Sequence, residues 1–151
     1  MAKNILITGA SSGIGAACAR YAVKAGHKVA LAARSTDKLD ELVAELGAEN
    51  AVAIRCDVTD ADDQRAMFKA AADAFGPLDV VFANAGLGAS LSGNLDKDIP
   101  EFETMIMVNC YGMTVTAKLA QDHMKERGGH LIITGSRAAH VTIPGSVYGA
   151  T

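Results

Sequence analysis

The stretch Asn4-Ile5-Leu6-Ile7-Thr8-Gly9-Ala10-Ser11-Ser12-Gly13-Ile14-Gly15 decides how this chain reads. Three large apolar residues in a row fit a strand buried on both faces, and they give way at once to glycines and small hydroxyl residues. The glycines fall in a G-x-x-x-G-x-G pattern, and the Ala-rich segment Gly13 to Ala25 that follows reads as a helix closed by Gly26. At a strand-to-helix junction, glycines let the backbone turn tightly and approach a pyrophosphate. Free N–H groups and the positive end of the helix dipole then attract the anion, and the Ser11 and Ser12 hydroxyls add donors. The placement between strand and helix distinguishes this string from an ordinary glycine turn.

The same alternation repeats outward along the chain. Strand-like runs are predicted at Asn4 to Thr8, Lys28 to Ala33, Ala51 to Cys56, Leu78 to Ala83 and His130 to Thr134. Helices are predicted over Gly13 to Ala25, Thr36 to Leu46, Asp60 to Phe75, and from Ile99-Pro100-Glu101 to Arg127, with Leu87 to Asp98 a Gly/Ser/Asn-rich loop. Runs such as Val80-Val81-Phe82 are continuously apolar rather than alternating, the mark of a parallel sheet covered by helices on both sides. The expected fold is therefore α/β, a Rossmann-like doubly wound parallel sheet flanked by helices. With no linker or low-complexity tract, residues 1–151 read as one domain.

With 50% hydrophobic and 21% charged residues over 151 positions, the chain can bury a sizeable core, which excludes intrinsic disorder. Its 14 Lys+Arg against 17 Asp+Glu leave a net charge of -3, giving no cationic field for nucleic acid or anionic lipid. The apolar runs are far shorter than the roughly 18 residues of a membrane span, and the first of them dissolves into Gly and Ser rather than forming a signal peptide. Cys18, Cys56 and Cys110 are too widely spaced for a C-x-x-C pair or a metal cluster. They read as reduced thiols packed as small hydrophobes in a cytoplasmic protein, and no metal site is expected.

Five further signals follow the glycine string in order: Asp57-Val58, Asn84-Ala85-Gly86, Asn109, Ser136 and Tyr148. Together they make the chain resemble the short-chain dehydrogenase/reductase family, in the branch called classical, over its whole length. The resemblance implies an NADP- or NAD-binding domain that interconverts an alcohol and a ketone or aldehyde, and a full-length parent that is a homodimer or homotetramer. The cofactor residues it points to are Gly9, Ser11, Ser12, Gly13, Ile14, Gly15, Arg34, Ser35, Asp57, Val58, Asn84, Ala85, Gly86 and Tyr148.

Cofactor choice is read at the end of the second strand, where an acidic residue would bind the ribose hydroxyls of NAD. The chain has Ala32-Ala33-Arg34-Ser35 there. Without a carboxylate to repel a 2′-phosphate, and with the Arg34 guanidinium able to bind it, NADP(H) is favoured over NAD(H) unless Arg34 is only a solvated charge. Asp57 is open to two readings: the resemblance implies a bond to the adenine amino group, with the Val58 backbone at the ring edge, while a local turn bonded to nearby amides fits equally. Asn84 is the residue carried over from the family's Asn-Ala-Gly motif, and a strand-tying amide is compatible with it.

The resemblance makes Tyr148 the acid/base, Ser136 the donor to the reacting oxygen, and Asn109 the organiser of water leading to the site. For Asn109, which interrupts Met105-Ile106-Met107-Val108, a buried structural carboxamide is the alternative. Ser136 lies twelve residues before Tyr148, one fewer than is usual in the family, with Thr134 as the weaker substitute. The family's Lys one helical turn after the Tyr falls at position 152, and the chain ends at Thr151. The expectation is the N-terminal part of a longer reductase, incomplete in its fifth helix and leaving an unprotected sheet edge. A nucleotide-binding module without catalysis, or an inactive fragment, is the alternative, and the substrate stays open.

Overall fold

The computed structural model describes residues 1–88, 92–141 and 148–151. Five strands, β1 (Asn4–Thr8), β2 (Lys28–Ala33), β3 (Ala51–Arg55), β4 (Val80–Ala83) and β5 (His130–Ile133), form one parallel sheet in the order β3-β2-β1-β4-β5. Helices α1 (Gly13–Lys24), α2 (Thr36–Leu46), α3 (Ala61–Phe75), α4 (Leu95–Ile106) and α5 (Met113–Met124) connect them, with a π-helical turn over Met107–Gly112 between the last two. The fold is the expected Rossmann-like doubly wound α/β sheet.

The pleat explains why the strands are apolar at every position. Ile7, Val29 and Leu31 pack with Ala16, Ala19, Leu39 and Leu42 of α1 and α2 on one face. Leu6, Ala30 and Val81 pack with Met67, Phe68, Ala71, Ala120 and Met124 of α3 and α5 on the other. Neighbouring residues thus enter opposite cores, and full burial of a side chain such as Leu6 or Leu31 contributes roughly 1.5–3 kcal/mol. β1 pairs with β2 on one side and β4 on the other, so the connections diverge there and open a crevice at the strands' carboxyl ends.

Three departures from the sequence pattern concern the helices. α4 starts at Leu95, not Ile99, because the Asn94 side chain accepts the amides of Asp96 and Lys97. This cap shortens the loop expected over Leu87 to Asp98, of which 89–91 lie outside the described residues. Pro100 then sits inside the helix rather than in its first turn. The long helix expected through Arg127 is interrupted by the π turn and ends at Met124. Where a further helix is expected to begin, Tyr148–Ala150 form a single 3-10 turn, while Val147 lies outside the described residues.

Candidate functional site

A cleft of about 470 Å³ lies over the carboxyl ends of the strands, lined by Gly9, Ser11, Ser12, Gly13 and Ile14 on one side. Gly9 and Gly13 adopt φ of 67° and 53°, the left-handed region that favours glycine. A Cβ at Gly9 would lie 2.8 Å from the Ala85 Cα, so the loop passes directly against the backbone after β4. A Cβ at Gly13 would meet no protein atom within 4 Å, leaving its open side to the cleft. Gly15 differs from the rest: it is buried and does not line the cleft, and a methyl there would run into the Gly9 carbonyl and the Asn84 Nδ2. It is a close-packing glycine.

The amino end of α1 lies at this loop. Asp60 and Asn94 cap α3 and α4 with their side chains, whereas Ser12 forms no side-chain cap at α1 and Ser35 none at α2. The first amides of these two helices therefore keep their hydrogens for another acceptor, and both N-cap residues line the cleft.

Arg34 and Ser35 are exposed at the cleft's edge beyond β2. Asp57, just past the end of the neighbouring strand β3, lines the same cleft and forms the local turn: its Oδ1 accepts the Thr59 amide at 3.0 Å and the Thr59 hydroxyl at 2.8 Å. The Thr59 backbone bond holds the Asp57 carboxyl below its ordinary range, and the Arg34 and Arg55 charges act the same way. Val58 lines the cleft with its side chain largely buried. Beneath them burial, with the Asp63 and Asp57 charges, pushes the Cys56 thiol up to about 12, so it stays a neutral packing group.

Asn84 ties three strand ends together. Its amide donates to the Thr8 Oγ1 at 3.0 Å, its Nδ2 donates to the Thr8 carbonyl at 3.1 Å, and its Oδ1 accepts the Thr134 hydroxyl at 2.9 Å. The strand-tying role is thus present in the structure, while Asn84, Ala85 and Gly86 also line the cleft.

A second cleft of about 200 Å³ shares Asn84, Ala85, Gly86, Thr134 and Tyr148 with the first and adds Asn109, Ser136 and Thr151. Tyr148 is 37% exposed. The Ser136 Oγ accepts the Ala138 amide at 3.1 Å, which leaves the hydroxyl hydrogen free to donate elsewhere. Asn109 is 7% exposed, and its Nδ2 donates to the Leu87 carbonyl and the Thr151 Oγ1, both at 2.9 Å. The Thr151 hydroxyl in turn donates to the Tyr148 carbonyl at 3.0 Å. Asn109 is therefore a satisfied structural amide, one hydroxyl away from the Tyr148 backbone.

Sequence reasoning missed Thr8 and Gln64. The Thr8 Oγ1 accepts the amides of both Asn84 and Ala85, and its signal was a lone hydroxyl ending an apolar strand. Gln64 is a buried polar residue in the apolar stripe of α3. Among the described residues no group of three or more His, Cys, Asp or Glu is placed to hold a metal, and no helix is long and apolar enough to cross a membrane.

Known proteins share this fold. A solved alcohol dehydrogenase from the archaeon Thermococcus sibiricus, complexed with 5-hydroxy-NADP, superposes with a TM-score of 0.88 at 36% identity over 99% of this chain and 65% of its own. A serine dehydrogenase from Escherichia coli gives a TM-score of 0.89 at 32% identity, covering 97% of this chain and 68% of that one. An uncharacterized oxidoreductase of Listeria monocytogenes is 39% identical over 99% of this chain, which spans 61% of that relative's length. The family model described as short chain dehydrogenase matches residues 3–151. With the family model matching nearly the whole chain and solved members of similar fold at over 30% identity, the chain belongs to the short-chain dehydrogenase family.

Proposed function

We propose that this chain is the nucleotide-binding part of an NADP(H)-dependent oxidoreductase that interconverts an alcohol and a ketone or aldehyde. The observation that carries the reading is the junction of the two clefts. Tyr148 and Thr134 line both, between the glycine-lined cleft and the smaller one that holds Ser136 and Asn109. The open cradle at Gly13 and the uncapped amides of α1 and α2 fit the phosphates of a dinucleotide. Arg34, at the cleft's edge with no carboxylate beside it on β2, suits a 2′-phosphate, in keeping with the 5-hydroxy-NADP in the Thermococcus sibiricus relative. When bound, the nicotinamide supplies or accepts the hydride.

This chain's own residues handle the oxygen. Tyr148 gives its phenol proton as the carbonyl oxygen gains charge, and takes one back in the oxidative direction. Ser136, whose oxygen already accepts the Ala138 amide, donates its free hydrogen to the same substrate oxygen. Asn109 has both amide hydrogens committed, so it acts by fixing Leu87 and Thr151, and only a remaining lone pair on Oδ1 is open to a water. The substrate is a small alcohol or carbonyl compound. A cytoplasmic location and a homodimeric or homotetrameric parent complete the proposal.

Titration with NADPH and NADH tests the cofactor. NADPH binds more tightly, and Arg34→Ala weakens it by roughly 10- to 150-fold, the value of a charge-assisted bond of about 1.5–3 kcal/mol, while NADH is unaffected. Equal affinities in the parent chain overturn the NADP reading. For the chemistry, Tyr148→Phe in a chain extended past Thr151 abolishes carbonyl-dependent NADPH oxidation and leaves NADPH affinity within a few-fold. Turnover by the Phe variant shows that the proton comes from another group.

A further inference from the structure

We propose that Gln64 is a positioning residue: its buried carboxamide ties the turn flooring the nucleotide cleft to the π-helical turn that carries Asn109, keeping the two parts of the site in one register. It rests on the reading of that cleft as a dinucleotide site.

Gln64 has no exposed surface and lies in the stripe Gln64, Met67, Phe68, Ala71 of α3, where an apolar side chain would fill the same space. Its Nε2 donates to the Val58 carbonyl at 2.6 Å and to the Gly112 carbonyl at 3.0 Å, and its Oε1 accepts the Thr116 hydroxyl at 2.7 Å. Both amide hydrogens and the oxygen are thus used, on three different segments. The orientation follows from the partners, since exchanging N and O would set the oxygen against two carbonyls.

Each partner leads to the site. Val58 lines the nucleotide cleft beside Asp57. Gly112 ends the π turn, three residues after Asn109. A Cβ at Gly112 would lie 2.9 Å from both the Val58 carbonyl oxygen and its Cγ2, so Gly112 packs directly against Val58, backbone and side chain alike. Val108, next to Asn109, lines the cleft as well. A π turn holds one more residue than an α-helical turn, and sliding that extra residue by one position would rotate neighbouring side chains by about 100°. Asn109 would then leave Leu87. Fixing the Gly112 carbonyl where the π turn meets α5 prevents the slide. The Thr116 hydroxyl also lies 2.9 Å from that carbonyl, so its one hydrogen is shared between the Gly112 carbonyl and the Gln64 Oε1.

Residue-resolved hydrogen exchange on the 151-residue chain, with Gln64→Leu and Thr116→Val, tests the proposal. The amide of Leu87, bonded to the Asn109 Oδ1, exchanges about tenfold faster or more in Gln64→Leu and by a smaller factor in Thr116→Val, while the amides of Leu6 and Ala30 in the central sheet change by less than about threefold. Leu87 exchange that is unchanged, or that accelerates by the same factor as Leu6, overturns it, because Gln64 would then serve general stability alone. Should Gln64→Leu fail to fold, the same comparison in Thr116→Val decides. NADPH titration of the parent chain separates the two readings. Absence of NADPH binding overturns the dinucleotide reading and leaves the exchange result to judge Gln64.

Discussion

Asn109 and Leu87 bond each other twice: the Leu87 amide donates to the Asn109 Oδ1 and the Asn109 Nδ2 donates to the Leu87 carbonyl, each at 2.9 Å. The side-chain amide thereby pairs with a backbone residue as a neighbouring strand would. It pins the segment leaving β4 to the helical layer beside both clefts.

Asn109→Ala leaves both Leu87 backbone groups without these partners, and costs about 1–3 kcal/mol in urea unfolding. Asn109→Asp costs at neutral pH as well, because it sets a carboxylate oxygen against the Leu87 carbonyl. A loss below about 0.5 kcal/mol for Asn109→Ala would show that water replaces the clamp.

The glycines of the loop separate by role. Gly15→Ala collides with the Gly9 carbonyl and disrupts the loop, lowering thermal stability by about 2 kcal/mol or more and abolishing nucleotide binding. Gly13→Ala has room among the protein atoms but a φ of 53°, so it loses about 1–2 kcal/mol and weakens NADPH through a methyl in the cleft. Calorimetry and NADPH titration on both variants check the contrast, and equal effects on the two would refute it.

Asp57 gives the fold an acid-sensitive contact. Its carboxyl is held below the ordinary range by the Thr59 amide first, so the folded value lies below an unfolded value of about 3.9. The stabilisation is present above that unfolded value and is lost as pH falls through the folded one. Asp57→Asn is therefore less stable than the parent by about 1 kcal/mol at pH 7, with the gap closing below about pH 4. Asp98, whose carboxyl is lowered by the Ser92 amide and hydroxyl and the Gly93 amide, acts in the same direction. Urea midpoints across that range provide the measurement, and a gap independent of pH would contradict it.

β5 is one of the two edge strands, opposite β3, and among the described residues β4 is its only ladder partner. Leu131, Ile132 and Ile133 are exposed at 38%, 50% and 46%, an apolar edge open to pairing with another chain. The 151-residue chain associates as its concentration rises, and Ile132→Lys reduces that association. Light scattering over a concentration series checks this, and equal scattering from the two proteins counts against it.

Much of the fold was legible because its signals are local. Five apolar runs, the glycine string and the cap at Gly26 locate the strands and the first three helices to within a residue or two. The start of α4 was misread although its signal was present: Asn94 precedes Asp96 and Asp98, the pattern of a capped first turn, and Pro100 drew the boundary too late.

The sequence by itself determined the parallel α/β sheet, the glycine turn at its centre, the absence of an acidic residue at the end of β2, and the order of Asn84, Asn109, Ser136 and Tyr148. These depend on periodicity and on neighbours a few positions away. Only the tertiary structure decided which polar groups are already committed. Asn109 meets Leu87 across 22 residues, Asn84 meets Thr134 across 50, and Gln64 meets Gly112 across 48. It also separated Gly13, open to the cleft, from Gly15, packed beneath it. A carboxamide or a glycine carries no local mark of its partner, because that partner arrives only when the sheet and helices pack, as Gln64 meets both Val58 and Gly112 at the end of the π turn.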